Sequence, residues 1–192
     1  QHQGGDDAKD HTIVPQVIVI HHAVARDVEG VWRTFNTPLL SGRDDIRDGG
    51  SLNVSAHFVV DRDGTIYQLM PPDFMARHTI GMNHNSIGIE NIGGLKTATT
   101  QLRRHADGPD TNLSLTNEQV EANVALIRWL AGEYGIEVVI GHHEYRKMEG
   151  TKYFLELDPD HRNTKQDPGA VFIEAVRSKI ADLHLQGGAA VK

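Results

Sequence analysis

The sequence predicts a single α/β domain, a mixed central β-sheet flanked by helices. Two observations predict it. Apolar, β-branched runs alternate with amphipathic helical patterns, the arrangement of helices packed on a sheet. A hairpin signature at Asp61–Gly64 breaks the alternation and brings in an antiparallel strand. The 192 residues, 39% of them hydrophobic, suit one domain with a full core.

In chain order, residues 1–12 are polar and Gly/Asp-rich and read as a flexible leader. Val17 to His21 is apolar on both faces, as in the middle of a sheet. Asp27 to Asn36 places Val28, Val31, Trp32 and Phe35 at helical spacing, a short amphipathic helix with Trp32 and Phe35 read as core. Residues 39–53 are loop. Two β-rich runs then flank the Asp61–Gly64 turn, with His57 packed on the first. Ser86 to Gly94 is a further strand closed by a glycine turn. Residues 95–115 lack apolar periodicity, and long loops in compact domains are often functional. Thr116 and Gln119 form a capping box that opens a helix to about Tyr134. Its buried stripe is Val120, Val124, Ile127, Leu130 and Ala131. Ile136 to Ile140 is a strand that runs into Gly141, His142 and His143, and a long polar loop follows to Pro168. The last helix spans Gly169 to Leu183 with Val171, Phe172, Val176 and Ile180 inward. The domain therefore covers residues 13–185, and residues 186–192 form a flexible tail.

Composition narrows the function. A formal net charge of −7 argues against non-specific nucleic-acid binding and supplies no basic patch for an anionic membrane surface. No apolar run approaches the roughly 18–20 residues of a transmembrane segment. With no cysteine, any metal site must use His, Asp or Glu. No internal repeat is visible. The chain begins with Gln1, which fits a product released from a signal peptide or simply a chosen start point.

The sharpest feature occurs twice. VIVIHH, Val17–His22, and VVIGHH, Val138–His143, are each a buried strand running out into two histidines. An unpaired buried imidazole nitrogen costs about 1–3 kcal/mol, so these rings need partners or a site. In open α/β sheets the ligand site lies beyond the carboxyl ends of strands. Two such ends converging on one cleft point to a metal centre, against the plainer reading of hydrogen-bonded core histidines. A catalytic zinc site needs a third protein ligand and an open position. Asp167, before a Pro-Gly turn that opens the last helix, is the candidate, although the same Asp-Pro-Gly also reads as a simple helix cap. Strand periodicity does not say which member of each histidine pair binds.

Four blocks in this order, IVIHHA, NHNSIGIE, IGHHE and KQDPG, resemble the zinc-dependent N-acetylmuramoyl-L-alanine amidases, a family that includes phage lysozyme-like amidases and peptidoglycan recognition proteins. The resemblance covers roughly Val17 to Leu183. It implies the peptidoglycan recognition protein-like amidase fold and a Zn2+ ion bound by His21, His142 and Asp167. His22 and His143 then take structural or supporting roles. Glu90 matches the acidic residue that activates water in many bacterial members, and Lys165 matches the lysine that stabilises the developing oxyanion. His78 and Asn83 fall in the loop where the family contacts substrate, although a satisfied loop histidine and a turn asparagine fit them equally well. Two departures stand out. Ala56 occupies the place of a tyrosine found in some phage-type members, which shifts weight onto Glu90. The loop between His143 and Lys165 is longer than in compact members.

The resemblance implies hydrolysis of the amide between N-acetylmuramic acid and L-alanine in peptidoglycan or muropeptides. A monomer is expected, in the periplasm or secreted, with a cytoplasmic recycling role also open. The irregular segments 95–113 and 144–163 are expected at the rim of the substrate groove. Two other readings stand beside this one. A glycosidase needs two carboxylates flanking a sugar bond, and nothing in the sequence nominates a partner for Glu90. A peptidoglycan-binding module that does not cut would typically lack a zinc ligand, whereas all three are present here.

Overall fold

The computed structural model of the chain describes residues 11–39, 52–93, 102–103 and 114–187. Residues 1–10, 188–192 and most of 95–113, where a leader, a tail and a groove loop are expected, lie outside the described residues. The architecture is the mixed sheet expected. Strands β1 (Val17–Ala23), β2 (Phe58–Val60), β3 (Ile66–Gln68), β4 (Ser86–Ile92) and β5 (Val138–Gly141) lie in the order β3-β2-β4-β1-β5. β4 is central and parallel to both β2 and β1, and β1 is parallel to β5; within this sheet the β2–β3 pair is antiparallel.

Period-two alternation gives the sheet two different faces. Ile18 and Ile20 of β1, Ile87 and Ile89 of β4 and Val139 of β5 pack under helices α2 (Asn117–Glu133) and α3 (Ala170–Lys179). The opposite face carries Val17, Val19, Val138 and Ile140, covered by Met82, Tyr145, Met148 and Tyr153. That cover is a correction to the expected polar loop after His143. Residues His142–Met148 form a 3-10 helix, in which Tyr145 and Met148 are buried. Side chains three apart eclipse one another in this helix, so the Tyr-x-x-Met spacing suits it.

Helix α2 begins at the expected capping box, with Thr116 Oγ1 accepting from Gln119 N at 3.1 Å. Two polar residues on its buried face were not anticipated, Gln119 and Asn123. Asn123 donates to Asn91 Oδ1 at 2.7 Å, and Asn91 donates to the His21 carbonyl at 3.1 Å. The helix is thereby tied to the end of β1 through side-chain amides.

Helix α1 (Val28–Phe35) is capped by Asp27, which accepts from Gly30 N at 2.8 Å. Only Val31 is fully buried, and Trp32 is 48% exposed, contrary to the expected inward stripe. Val28, Val31 and Phe35 share one narrow stripe against Val59 and Ile92, and Trp32 lies about 100° round from Val31. Val171, expected inward, is likewise exposed in the first turn of α3. Towards the two ends of the described residues, Thr12 bridges to Phe74 and Gln186 bridges to Val138.

Candidate metal centre and cleft

Strand register assembles the site. Val17 pairs with Val138, Val19 faces Ile140, and Ile20 faces Gly141, so one further step sets His21 beside His142. On the other flank, His21 is in register with Glu90. Residues in register on parallel neighbours point to the same side. His21, Glu90 and His142 therefore meet at the carboxyl ends of three adjacent strands, on the face away from α2 and α3.

Asp167 joins from the turn before α3. Three donor atoms converge: His21 Nδ1 is 2.9 Å from His142 Nδ1, His142 Nδ1 is 3.0 Å from Asp167 Oδ2, and His21 Nδ1 is 3.4 Å from the same oxygen. Ligand atoms about 2.0–2.1 Å from a tetrahedral ion stand about 3.3 Å apart, close to these separations. Two imidazole lone pairs and a carboxylate aimed at one point suit a cation. His21 and His142 are buried, 2% and 7% exposed, which excludes loose surface proximity. This His21–His142–Asp167 group could hold a metal ion.

Electrostatics agree with that chemistry. Burial, reinforced by the adjacent His21, lowers the His142 pKa to about 4 against the pull of Asp167, leaving the ring neutral as ligation requires. Burial would raise the Asp167 carboxyl, but His142 and His21 outweigh it and hold it far below the ordinary carboxylate range. Glu90 behaves in the opposite sense. Burial pushes its pKa up to about 7, Asp167 adds to the rise, and His21 and Lys165 oppose it. Its Oε2 is enclosed with no hydrogen-bond partner.

The second histidines diverge. His143 donates to the Asp167 carbonyl twice, from its backbone N at 2.8 Å and from Nδ1 at 3.0 Å. It pins the turn that carries the third donor. A Cβ on Gly141 would come within 2.7 Å of the His143 ring, so glycine is needed for that packing. His22 lines the cleft, and its Nδ1 is enclosed without a partner.

His78 and Asn83 both line the cleft, but their bonded atoms serve the protein. Asn83 Oδ1 accepts from the backbone N of His78 at 2.9 Å and of Thr79 at 2.8 Å, holding the loop. His78 Nδ1 lies 3.0 Å from His21 Nε2, and its Nε2 lies 3.3 Å from the Ser86 carbonyl. Both ring nitrogens are thus engaged inside the fold rather than presented to a substrate. Burial, with His21 and His57 close by, holds the His78 pKa well below its ordinary value.

Sequence reasoning missed one supporting group altogether. Glu144, 5% exposed, accepts from Gly141 N at 3.0 Å and pairs with Arg177, which also donates to the Val139 carbonyl. This pair clamps the end of β5 just before His142. The signal for it was a glutamate within three residues of a strand end, too common to single out.

The cleft above these groups has a volume of about 460 Å³, within the range of small-ligand sites. Lys165 lines it beside Glu90 and Asp167. From the downstream segment, Glu156, His161 and Asn163 reach it as well. The family pattern of N-acetylmuramoyl-L-alanine amidases matches residues 11–170, which contain the cluster and Glu90. The chain belongs to this family. Within it, the chain is 30% identical over 98 residues to the endolysin of Escherichia phage T7 and 29% identical over 98 residues to that of Enterobacteria phage K11. Each match takes in 51% of this chain and 58% of the endolysin. Among solved structures, AmpD superposes with a TM-score of 0.55 at 23% identity, covering 88% of this chain and 89% of AmpD. The amidase LysC from Clostridium intestinale gives 0.54 at 23% identity, covering 91% and 88%. The fold is the one that the family resemblance implies. Among the described residues, no helix is long and apolar enough to cross a membrane.

Proposed function

We propose that the chain hydrolyses the amide between the lactyl group of N-acetylmuramic acid and L-alanine, in peptidoglycan or muropeptides, with zinc held by His21, His142 and Asp167. Residues 13–185 would carry this activity, as a monomer. The observation that supports it most is the meeting of Glu90 with the three-donor cluster at one strand-end cleft, inside the span that matches the amidase family.

Zinc bound there supplies a lowered pKa for water and polarises the scissile carbonyl. The chain supplies the rest. Neutral His142 keeps its lone pair for ligation, and ionised Asp167 balances part of the ion's charge. Glu90 takes a proton from the attacking water and gives it to the departing amine nitrogen of L-alanine. A carboxyl tuned to about 7 is suited to both transfers. Lys165 brings positive charge to the same wall, and we assign it to the oxyanion that develops on the carbonyl. Intact murein as substrate goes with a periplasmic or secreted location, and recycled muropeptides go with the cytoplasm.

Digestion of purified murein tests the reading. Free amino termini and reducing sugar ends are measured on the same sample. Amino termini rise, reducing ends stay level, and a chelator stops the rise. New reducing ends that form in the presence of the chelator overturn the amidase assignment in favour of glycoside cleavage.

A further inference from the structure

We propose that His78 is a positioning residue for the metal centre, which accepts a hydrogen bond from His21 Nε2 and so fixes the tautomer that leaves His21 Nδ1 free to bind metal. The proposal rests on the metal-site reading above and assigns His78 a role inside the fold in place of the substrate contact expected from its loop.

Local sequence builds the seat for this ring. In β4, Ser86, Gly88 and Glu90 alternate onto the site face, while Ile87 and Ile89 enter the core under α2 and α3. The small Ser86 and Gly88 leave room beside His21 that His78 fills. A Cβ on Gly88 would lie 2.8 Å from His78 Cγ, closer than packed atoms tolerate. Asn83 fixes the backbone at His78 and Thr79 from the other side.

The partners of the ring determine its proton. His78 Nε2 lies 3.3 Å from the Ser86 carbonyl, which only accepts, and 3.2 Å from Ser86 Oγ. Ser86 Oγ itself lies 2.6 Å from the Met82 carbonyl, so its hydrogen is directed there and it too accepts from His78. His78 therefore carries its proton on Nε2, and its Nδ1 is an acceptor. That acceptor stands 3.0 Å from His21 Nε2, with Thr79 Oγ1 2.9 Å away on its flank. His21 must then be protonated on Nε2, which leaves the Nδ1 lone pair directed at His142 and Asp167. The sequence of donors runs from His21 through His78 to a main-chain carbonyl of β4. Main-chain atoms of a central strand cannot change tautomer, so the orientation of the ligand is set by the sheet itself. The nearby His57 is locked the same way. Its Nδ1 accepts from Gly88 N at 2.9 Å, so its Nε2 donates to the Phe74 carbonyl at 2.7 Å.

Groups that orient a ligating histidine through its second nitrogen typically contribute about 10–100-fold to metal affinity. The test measures zinc affinity by competition with a chromophoric chelator for the unaltered protein, His78→Ala and His78→Asn. Tautomers of His21 and His78 are read from long-range 1H–15N correlations in the unaltered, zinc-loaded protein. Zinc affinity falls about 10–100-fold in His78→Ala. His78→Asn recovers most of it, because Asn Oδ1 occupies the position of His Nδ1 and accepts the same bond. The spectrum shows His78 protonated on Nε2. Unchanged affinity in a folded His78→Ala, or His78 protonated on Nδ1, overturns the proposal while leaving the metal site standing. The spectrum decides the matter even where His78→Ala does not fold. An unaltered protein that takes up no zinc is a separate outcome, and it overturns the metal-site reading together with this inference.

Discussion

The ends of β1 and β5 carry the same sequence device, a buried strand followed by His-His, yet the two pairs are used differently. Their first members, His21 and His142, come within 2.9 Å of each other. Their second members part company. His143 holds the Asp167 carbonyl through two hydrogen bonds, whereas His22 has an enclosed Nδ1 without a partner. The difference follows from what lies beyond each strand. After β5 the chain tightens into a 3-10 helix, and the turn before α3 packs against His143. At the end of β1 it opens to the cleft wall at Ala23 and Val24. One pair thus contributes a donor and the support for another donor. The other contributes a donor and an enclosed polar group beside the cleft.

The largest expected effect separates first members from second. His21→Ala or His142→Ala removes one of three donors and abolishes stoichiometric zinc, measured by metal analysis of the purified protein. His22→Ala and His143→Ala retain it. The reverse pattern would break the comparison and reassign the ligands.

Turnover comes next. Glu90→Gln keeps zinc and fold but loses about 10²–10⁴ in kcat, because an amide cannot take the proton from water. The same residue sets a pH dependence. Glu90 works as a base only when ionised, and its pKa is raised to about 7. Activity is therefore present above that value and falls as pH drops through it. Bound cation favours the ionised form, so the acid limb of kcat/KM lies between the ordinary 4.5 and about 7. A profile flat from pH 8 to 4, or a Glu90→Gln variant at near-normal rate, removes Glu90 from this role.

The smallest expected effect sharpens the contrast between the second members. His143→Ala frees the Asp167 turn and weakens zinc by about 10-fold, the low end for a supporting group. His22→Ala removes an enclosed side chain whose Nδ1 has no partner, leaves zinc affinity unchanged and lowers stability by about 0.5–3 kcal/mol. Chelator competition and melting curves on the two variants check both. Equal zinc affinities would show that the His143–Asp167 bonds do not position the third donor.

Much of the fold is legible in the sequence. The β1 and β5 runs open on continuous β-branched stretches, β4 alternates isoleucine with small or polar residues, and the Thr116–Gln119 capping box marks the start of α2 because both partners lie within one turn. Trp32 shows where such reading fails. Helical spacing says which residues share a stripe, but the width of the surface that receives the stripe belongs to β2 and β4. The 3-10 helix after β5 was likewise hidden in a polar stretch, since only the site face of the sheet gives Tyr145 and Met148 something to cover.

The candidate site divides along the same line. By itself the sequence determined the chemical inventory: no cysteine, two strand-end histidine pairs, an Asp-Pro-Gly turn and the motif order of an amidase. These are local facts, carried by residue type and by spacing within one element. Only the tertiary structure decided which atoms meet. Strand register put His21 between Glu90 and His142, and the seat over Gly88 turned His78 toward His21. Packing gave Glu90 a carboxyl tuned to about 7 and held that of Asp167 far lower. The reason is physical: a carboxylate's pKa and an imidazole's tautomer depend on burial and on partners dozens of residues away, and neither is a property of the residue that carries it.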